Sequence, residues 1–316
     1  MMTLRRDKVL FLAAVFLVLA LVPTVLVISG SAQAPLSTVI ILPDGSVSPS
    51  TAPIVQSGNT YTFKNNLCAR LIIQKNNIVL DGAGYTLQGP YNGTVTNNWI
   101  VGNGPNQETN GTFADYVIGV DFGGKNVDGI TVKNLNIINF SIGMYVWTKN
   151  NTITKNNFSD NIVGLLVSGS NQTLTSNYIA DNQRGLFFGF NNKATNVIPT
   201  DIEVSHNDFE HNIVQLNGCE CESINATEPP HNWDNGMEGN FWSDYQGTDS
   251  NGDGIGDTPY VIDSLNRDRY PLLQSPVKLP AADTKVPFET IILGVLAVVV
   301  AVAALLVWRR TKNRRA

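Results

Sequence analysis

NTITKNNFSDNIVGLLV (151–167) and QTLTSNYIADNQRGLFF (172–188) are the same sentence written twice, 21 residues apart. Taking Gly143, Gly164, Gly185 and Gln215 as a common reference position brings four such segments into register. One residue later come Met144, Leu165, Leu186 and Leu216, and three later come Val146, Val167, Phe188 and Gly218. Six earlier stand Ile137, Phe158, Ile179 and Phe209, and eleven earlier Val132, Ile153, Leu174 and Val204. The last interval is 30 residues rather than 21, with an inserted loop around Asn191–Thr200. Periods of 20 to 50 residues belong to solenoids, in which one repeat cannot bury its apolar face alone and stacking builds a continuous core.

Each apolar run is three to five residues long and is punctuated by Gly and Asn, which excludes long helices and fits short strands joined by tight turns. Asn156, Asn177 and Asn207 share one register; Asn161, Asn182 and Asn212 share another, five residues on. Asn tolerates left-handed backbone, and its amide bonds to neighbouring backbone, so stacked asparagines form a ladder. In the first coil Asn134 and Asn139 fall one residue out of phase, which predicts a bulge or altered turn there. Segments 79–87 and 118–122 read as earlier, less regular coils. The fold class expected is all-β: a parallel β-helix of seven or eight coils between roughly 38 and 218.

Both ends are apolar. Arg5, Arg6 and Lys8 precede a run from Val9 to Ile28 and a small-residue zone ending at Ala34, the layout of a signal peptide. Pro35 after the Ala32-x-Ala34 site hinders cleavage there, so an uncleaved anchor is the alternative. Thr290–Trp308 carries no charge and is long enough to span a bilayer; Arg309, Arg310, Lys312, Arg314 and Arg315 follow. The positive-inside rule then places the tail in the cytoplasm and the ectodomain outside. The expected organisation is signal or anchor 1–34, β-helix 35–218, irregular cap 219–273, proline-bearing stalk 274–288, transmembrane helix 289–308 and basic tail 309–316.

The net charge of −5 hides an asymmetry. Residues 35–288 hold 13 Lys+Arg against 24 Asp+Glu, about −11. That surface excludes nucleic acid as a partner, because phosphate neutralisation needs a basic face. Cys68, Cys219 and Cys221 are too few for a disulfide framework and read as idle thiols, with a Cys-x-Cys metal site as the alternative.

The stretch DGAGYTL (81–87) and the Asn-rich repeats resemble NosD-like right-handed β-helix proteins. NWDNG (232–236), GNFWSDY (239–245), Asp249–Asp263 and Tyr270-Pro271-Leu272 look like the C-terminal cap of archaeal cell-surface members of that family. The resemblance covers about 55–273 and implies the right-handed scaffold. For the founding member the family name implies periplasmic copper-site maturation, but few Met and no Met-His or Cys-His cluster support that here.

Three constellations carry possible chemistry. Asp249, Asn251, Asp253, the Ile255 carbonyl and Asp257 have the spacing of a Ca²⁺ loop, with Tyr260 where an EF-hand has Glu and Asp263 as a further ligand. Without a metal the same residues form an Asp/Gly turn. Trp233, Phe241, Trp242 and Tyr245 are either a sugar-stacking platform or the apolar plug that closes the solenoid. Asp160, Asp181 and His211 share one column, as an acid–base or metal site or as a solvated turn. The Gly-His-Gly and Arg-x-Lys patterns of β-helix polygalacturonases are absent, and basic residues are scattered. The function expected is a non-catalytic cell-surface β-helix for adhesion, envelope structure or glycan contact; a surface carbohydrate-active enzyme is the rival. Sequons stand at Asn92, Asn110, Asn139, Asn150, Asn157, Asn171 and Asn225.

Overall fold

In a computed structural model of the chain, the residues described are 36–90, 117–123, 127–189, 198–218 and 229–277. The signal segment, the transmembrane span, the basic tail, Asn92, Asn110, Asn225, Cys219 and Cys221 all lie outside them.

The described chain is all-β and winds through three sheets in rotation. An eight-stranded sheet runs, in spatial order, Val47–Ser48, Ser37–Ile41, Ala69–Ile73, Ile118–Asp121, Ile142–Val146, Val163–Val167, Arg184–Phe188 and Val214–Asn217. A seven-stranded sheet runs from Ile202–Ser205 through Gln172–Thr175, Asn151–Thr154, Thr131–Lys133 and Val79–Asp81 to Thr60–Phe63 and Ile54–Ser57. A six-stranded sheet runs Phe241–Trp242, Asp208–Glu210, Tyr178–Ala180, Asn157–Ser159, Asn136–Ile138, Thr86–Gln88. Every pairing in these sheets is parallel except Ser37–Ile41 with Val47–Ser48 and Ile54–Ser57 with Thr60–Phe63. That is the arrangement of a β-helix. The two antiparallel pairs turn the chain back at the N-terminal end of the stack, where parallel edges would stand open.

The pairing register reproduces the sequence columns. Met144, Leu165, Leu186 and Leu216 stack in the eight-stranded sheet. Ile137, Phe158, Ile179 and Phe209 stack in the six-stranded one, and Val132, Ile153, Leu174 and Val204 in the seven-stranded one. All of these except the half-buried Leu216 are sealed from solvent in one continuous core. The chain has no alternative register, since a one-residue slip would turn every one of them outward.

The asparagines form the ladders expected. Asn156 Nδ2 donates to Asn177 Oδ1 (3.1 Å), Asn177 Nδ2 to Asn207 Oδ1 (2.9 Å) and Asn207 Nδ2 to Asn240 Oδ1 (3.0 Å). Each Nδ2 also serves a backbone carbonyl of the preceding coil, at Val132, Ile153 and Leu174. The second ladder, Asn161–Asn182–Asn212, ends on Gln215, whose Oε1 accepts from Asn212 Nδ2 at 2.8 Å. This ladder explains the glycine column. A Cβ on Gly143, Gly164 or Gly185 would lie 2.5–2.8 Å from the carbonyl of the next coil and close against the side-chain amides of Asn161, Asn182 and Asn212. Gln215 can carry a side chain because no described strand stacks beyond Val214–Asn217.

The bulge expected at Asn134 and Asn139 does not occur. Leu135 and Phe140 hold the ladder register, and their amides donate to Asn156 and Asn161. Asn134 and Asn139 belong to two other columns, one residue earlier, whose members all have positive φ. One is Asn134, Lys155, Ser176 and His206; the other is Asn139, Asp160, Asp181 and His211. At these two corners the chain steps through left-handed backbone just before a ladder register, a conformation Asn and Asp tolerate best.

Candidate functional site

The column Asp160–Asp181–His211 is thereby placed at an exposed corner of the solenoid. His211 Nδ1 lies 4.0 Å from Asp181 Oδ1, with the two side chains 69% and 56% exposed. Partial burial and then the Asp181 charge raise the Asp160 carboxyl. The left-handed backbone gives Asp160 and Asp181 a structural reason to be there, and an exposed pair at this distance is worth little energetically.

The cap is built from Trp233 and Trp242, each 1% exposed. Phe209, Trp242 and Tyr260 stack in parallel, at 4.3 and 4.2 Å between centroids. With both tryptophans buried they close the core and offer no sugar a face; Phe241 and Tyr245 are half-buried at the margin. His231 packs at 4.8 Å on Phe188, and burial pushes its imidazole down to about 4. Behind the plug Asp268, fully buried, accepts from Asn240 N (2.7 Å), Trp242 Nε1 (2.9 Å) and Tyr270 N (3.0 Å). Burial raises its carboxyl despite these donors. Arg269 grips Asp234 through two side-chain bonds of 3.0 and 2.6 Å, tying residues 234 and 269 together.

In the Asp-rich loop, Asp249 accepts from the amides of Gly252, Asp253 and Gly254. Asn251 and Asp253 join them, with Asn251 Nδ2 donating to Asp253 Oδ2 at 2.8 Å. Asp253 Oδ1 accepts from the Ile255 amide. Asp257 turns the other way, to Thr248 and Ser250, whose hydrogen bonds hold its carboxyl below the usual range. Asp263 accepts from Leu265 and Asn266 and takes no part in the loop. Among the described residues no three His, Cys, Asp or Glu side chains form a metal-holding group. The loop closes on its own amides.

Of the described sequons, Asn150 and Asn171 are exposed and one coil apart, bonded to each other at 2.5 Å. Asn139 and Asn157 are half-buried. Cys68 is exposed and free.

One surface escaped the sequence reading. The outer face of the eight-stranded sheet carries a second apolar cluster: Ile118, Ile142, Val163, Leu166 and Phe187, each at most 9% exposed, with Tyr145 and Ile162 beside it. Leu166 and Phe187 alternate with the core residues Leu165, Val167, Leu186 and Phe188 and so point away from them. A half-buried polar fringe adjoins the cluster. Trp147 Nε1 donates to Asp121 Oδ1 at 3.2 Å, and burial raises the Asp121 carboxyl against this bond and the Arg70 charge. Burial also raises the Tyr145 hydroxyl. In chain order, segments 91–116, 124–126, 190–197 and 219–228 each adjoin a strand of this sheet. The signal was present in LLV (165–167) and FF (187–188), adjacent apolar residues that load both faces of a strand.

No protein-family model and no curated protein matches the sequence.

Proposed function

We propose that the protein is a membrane-anchored, right-handed β-helix of the NosD-like cell-surface type, non-catalytic, which presents the part-exposed polar margin of its eight-stranded sheet to glycans. The observation that carries this reading is that margin: the half-buried Trp147, Tyr145, Asp121 and Arg70, beside an apolar cluster that is itself sealed from solvent. Such a margin combines stacking surface with a few oriented polar groups, as sugar recognition requires. The corner geometry of Asp160 and Asp181 supports a non-catalytic role for the column that the enzyme reading needs.

The test is a broad glycan panel presented to the full chain in detergent, scoring retention and cleavage products separately. Retention without cleavage is expected, weakened at least about tenfold by Trp147→Ala, a loss of ~1.4 kcal/mol. Cleavage abolished by Asp181→Asn would overturn the reading in favour of a carbohydrate-active enzyme. Anchoring is tested on intact cells: an external protease should remove the ectodomain and spare the tail after Arg309, and the reverse pattern would refute the topology.

Calcium at Asp249, Asn251, Asp253, Ile255 and Asp257 is a separate proposal, supported by spacing and by the gathering of Asp249, Asn251 and Asp253 on one turn. Titration calorimetry should then show calcium heat that Asp253→Ala removes. Absence of heat would leave the loop as the self-bonded turn described above.

A further inference from the structure

The last described residues run back over the six-stranded sheet. Leu272 N bonds to Asn240 O and Leu273 N to Gly254 O, which fix the chain as far as Leu273. Beyond that point Gln274, Ser275 and Pro276 are exposed, and the side-chain partner of this stretch is Asp208. Ser275 Oγ and the Val277 amide both donate to its carboxyl.

Asp208 stands on the outward side of its strand, next to Phe209 of the core, yet none of its surface reaches solvent. Its Oδ1 has no hydrogen-bond partner. The hydroxyl of Tyr178, its neighbour in the sheet, is committed elsewhere, donating to Glu210 Oε2 at 2.5 Å. Glu210 shares the strand and the face, and its charge repels a second anion at Asp208. From the strap the groups that face Asp208 are the neutral Ser275 and Val277; from the strands on either side, Tyr178 and Phe241. No cation interacts with it among the described residues. A buried carboxylate with one bare oxygen and an anionic neighbour is less stable there than the neutral carboxyl.

We infer that Asp208 is a proton-operated latch: neutral, it holds the strap Gln274–Val277 against the six-stranded sheet, and ionised, it lets the strap go. Burial, with the Glu210 charge adding to it, pushes the docked carboxyl up to about 7, against the pull of the Ser275 and Val277 donors. Once the strap leaves, Asp208 returns towards an ordinary ~3.9. Docking is therefore strongest below about pH 4, weakens as pH rises from ~4 to ~7, and levels off above ~7 once both states are ionised. The docking constant falls by at most about 10³-fold over that window. Resting on the membrane-anchored reading only for its consequence, the inference gives the ectodomain about 13 Å of extra tether, four extended residues, on the alkaline side.

Hydrogen exchange at the Val277 amide of the full chain in detergent, corrected for intrinsic rates, reads the latch directly. Protection should fall at least about tenfold between pH 5 and pH 7.5. It should be high and flat with pH in Asp208→Asn, and low at both pH values in Ser275→Ala. Glu210→Gln should shift the wild-type transition to lower pH, because it removes the like charge. The amides of Ile179 and Phe209 report whether each variant is folded. A pH-independent Val277 in the wild type overturns the inference, as does a folded Asp208→Asn that follows the wild-type profile. Neither outcome depends on glycan retention or on the side of the membrane, so the two readings fail separately.

Discussion

Asn207→Ala is expected to remove about 4–6 kcal/mol of stability, a large part of what a domain possesses. Asn207 is the hinge of the longer ladder. Its Oδ1 accepts from both Asn177 N and Asn177 Nδ2, and its Nδ2 donates to Leu174 O, Ser205 O and Asn240 Oδ1. All these groups are buried, and the site lies between coils where no solvent enters. Truncation strands several polar groups at once, at roughly 1–3 kcal/mol each, and opens a cavity beside Phe209. A neutral Asn–backbone bond on a surface would lose far less. Asn150, exposed and with its side chain bonded to that of its counterpart Asn171, is the control: Asn150→Ala should cost about 1 kcal/mol, the strain of alanine on left-handed backbone. Urea denaturation followed by the emission of Trp233 and Trp242, which sit in the plug beside the ladder's end, measures both. A loss under about 1 kcal/mol for Asn207→Ala would show that the stacked amides are ornaments on a fold held by its apolar columns alone.

The ladder shows how far the sequence could be read. A 21-residue period is a covalent fact, and stacking converts it directly into contact, so Ile137, Phe158, Ile179 and Phe209 needed no tertiary knowledge to be joined. The fourth member of the ladder was out of reach: Asn240 follows Asn207 by 33 residues, with an irregular stretch between them. Asn134 and Asn139 were misread for a related reason. They were judged by residue type, as displaced ladder asparagines, whereas the backbone had placed them in the left-handed columns, where Lys155, Ser176 and His211 also stand. In the Asp-rich loop the same Asp-x-Asn-Gly-Asp-Gly spacing serves two physics. A cation loop turns oxygen donors inward and a self-capped turn turns carboxylates to Gly amides; Asp249 accepts the Gly252 and Gly254 amides here, and a carboxylate has lone pairs for both roles. The outer face of the eight-stranded sheet was half legible: LLV and FF declare two-sided strands, but nothing in a linear sequence says that Phe187 and Leu166 are buried on the outside as well.

Asp268→Ala is expected to cost about 4 kcal/mol and to loosen the cap before the coils. The first ladder needs an end. Each asparagine passes its amide to the oxygen of the next, so the last one, Asn240, must donate to something that is not an asparagine. Asp268 Oδ2 takes Asn240 N and the indole of Trp242, and Oδ1 takes Tyr270 N. Two buried donors and the part-buried Tyr270 amide thus lose their acceptor in the alanine variant, and the Phe209–Trp242–Tyr260 stack loses the bond that orients its middle ring. Asp268→Asn separates acceptor from charge. Its carbonyl can keep the side shared by Asn240 and Trp242, while its Nδ2 faces the Tyr270 amide and forfeits that bond, for a cost of about 1–2 kcal/mol. The order expected is wild type, then Asn, then Ala. It should be matched by a red shift of tryptophan emission in the alanine variant at denaturant concentrations where the amide of Ile179 still resists exchange. Equal stability of the Asn variant and the wild type would mean that Tyr270 N does not need its partner. Equal stability of the Ala variant would mean that the ladder needs no terminator, leaving the aromatic stack as the sole closure of the solenoid.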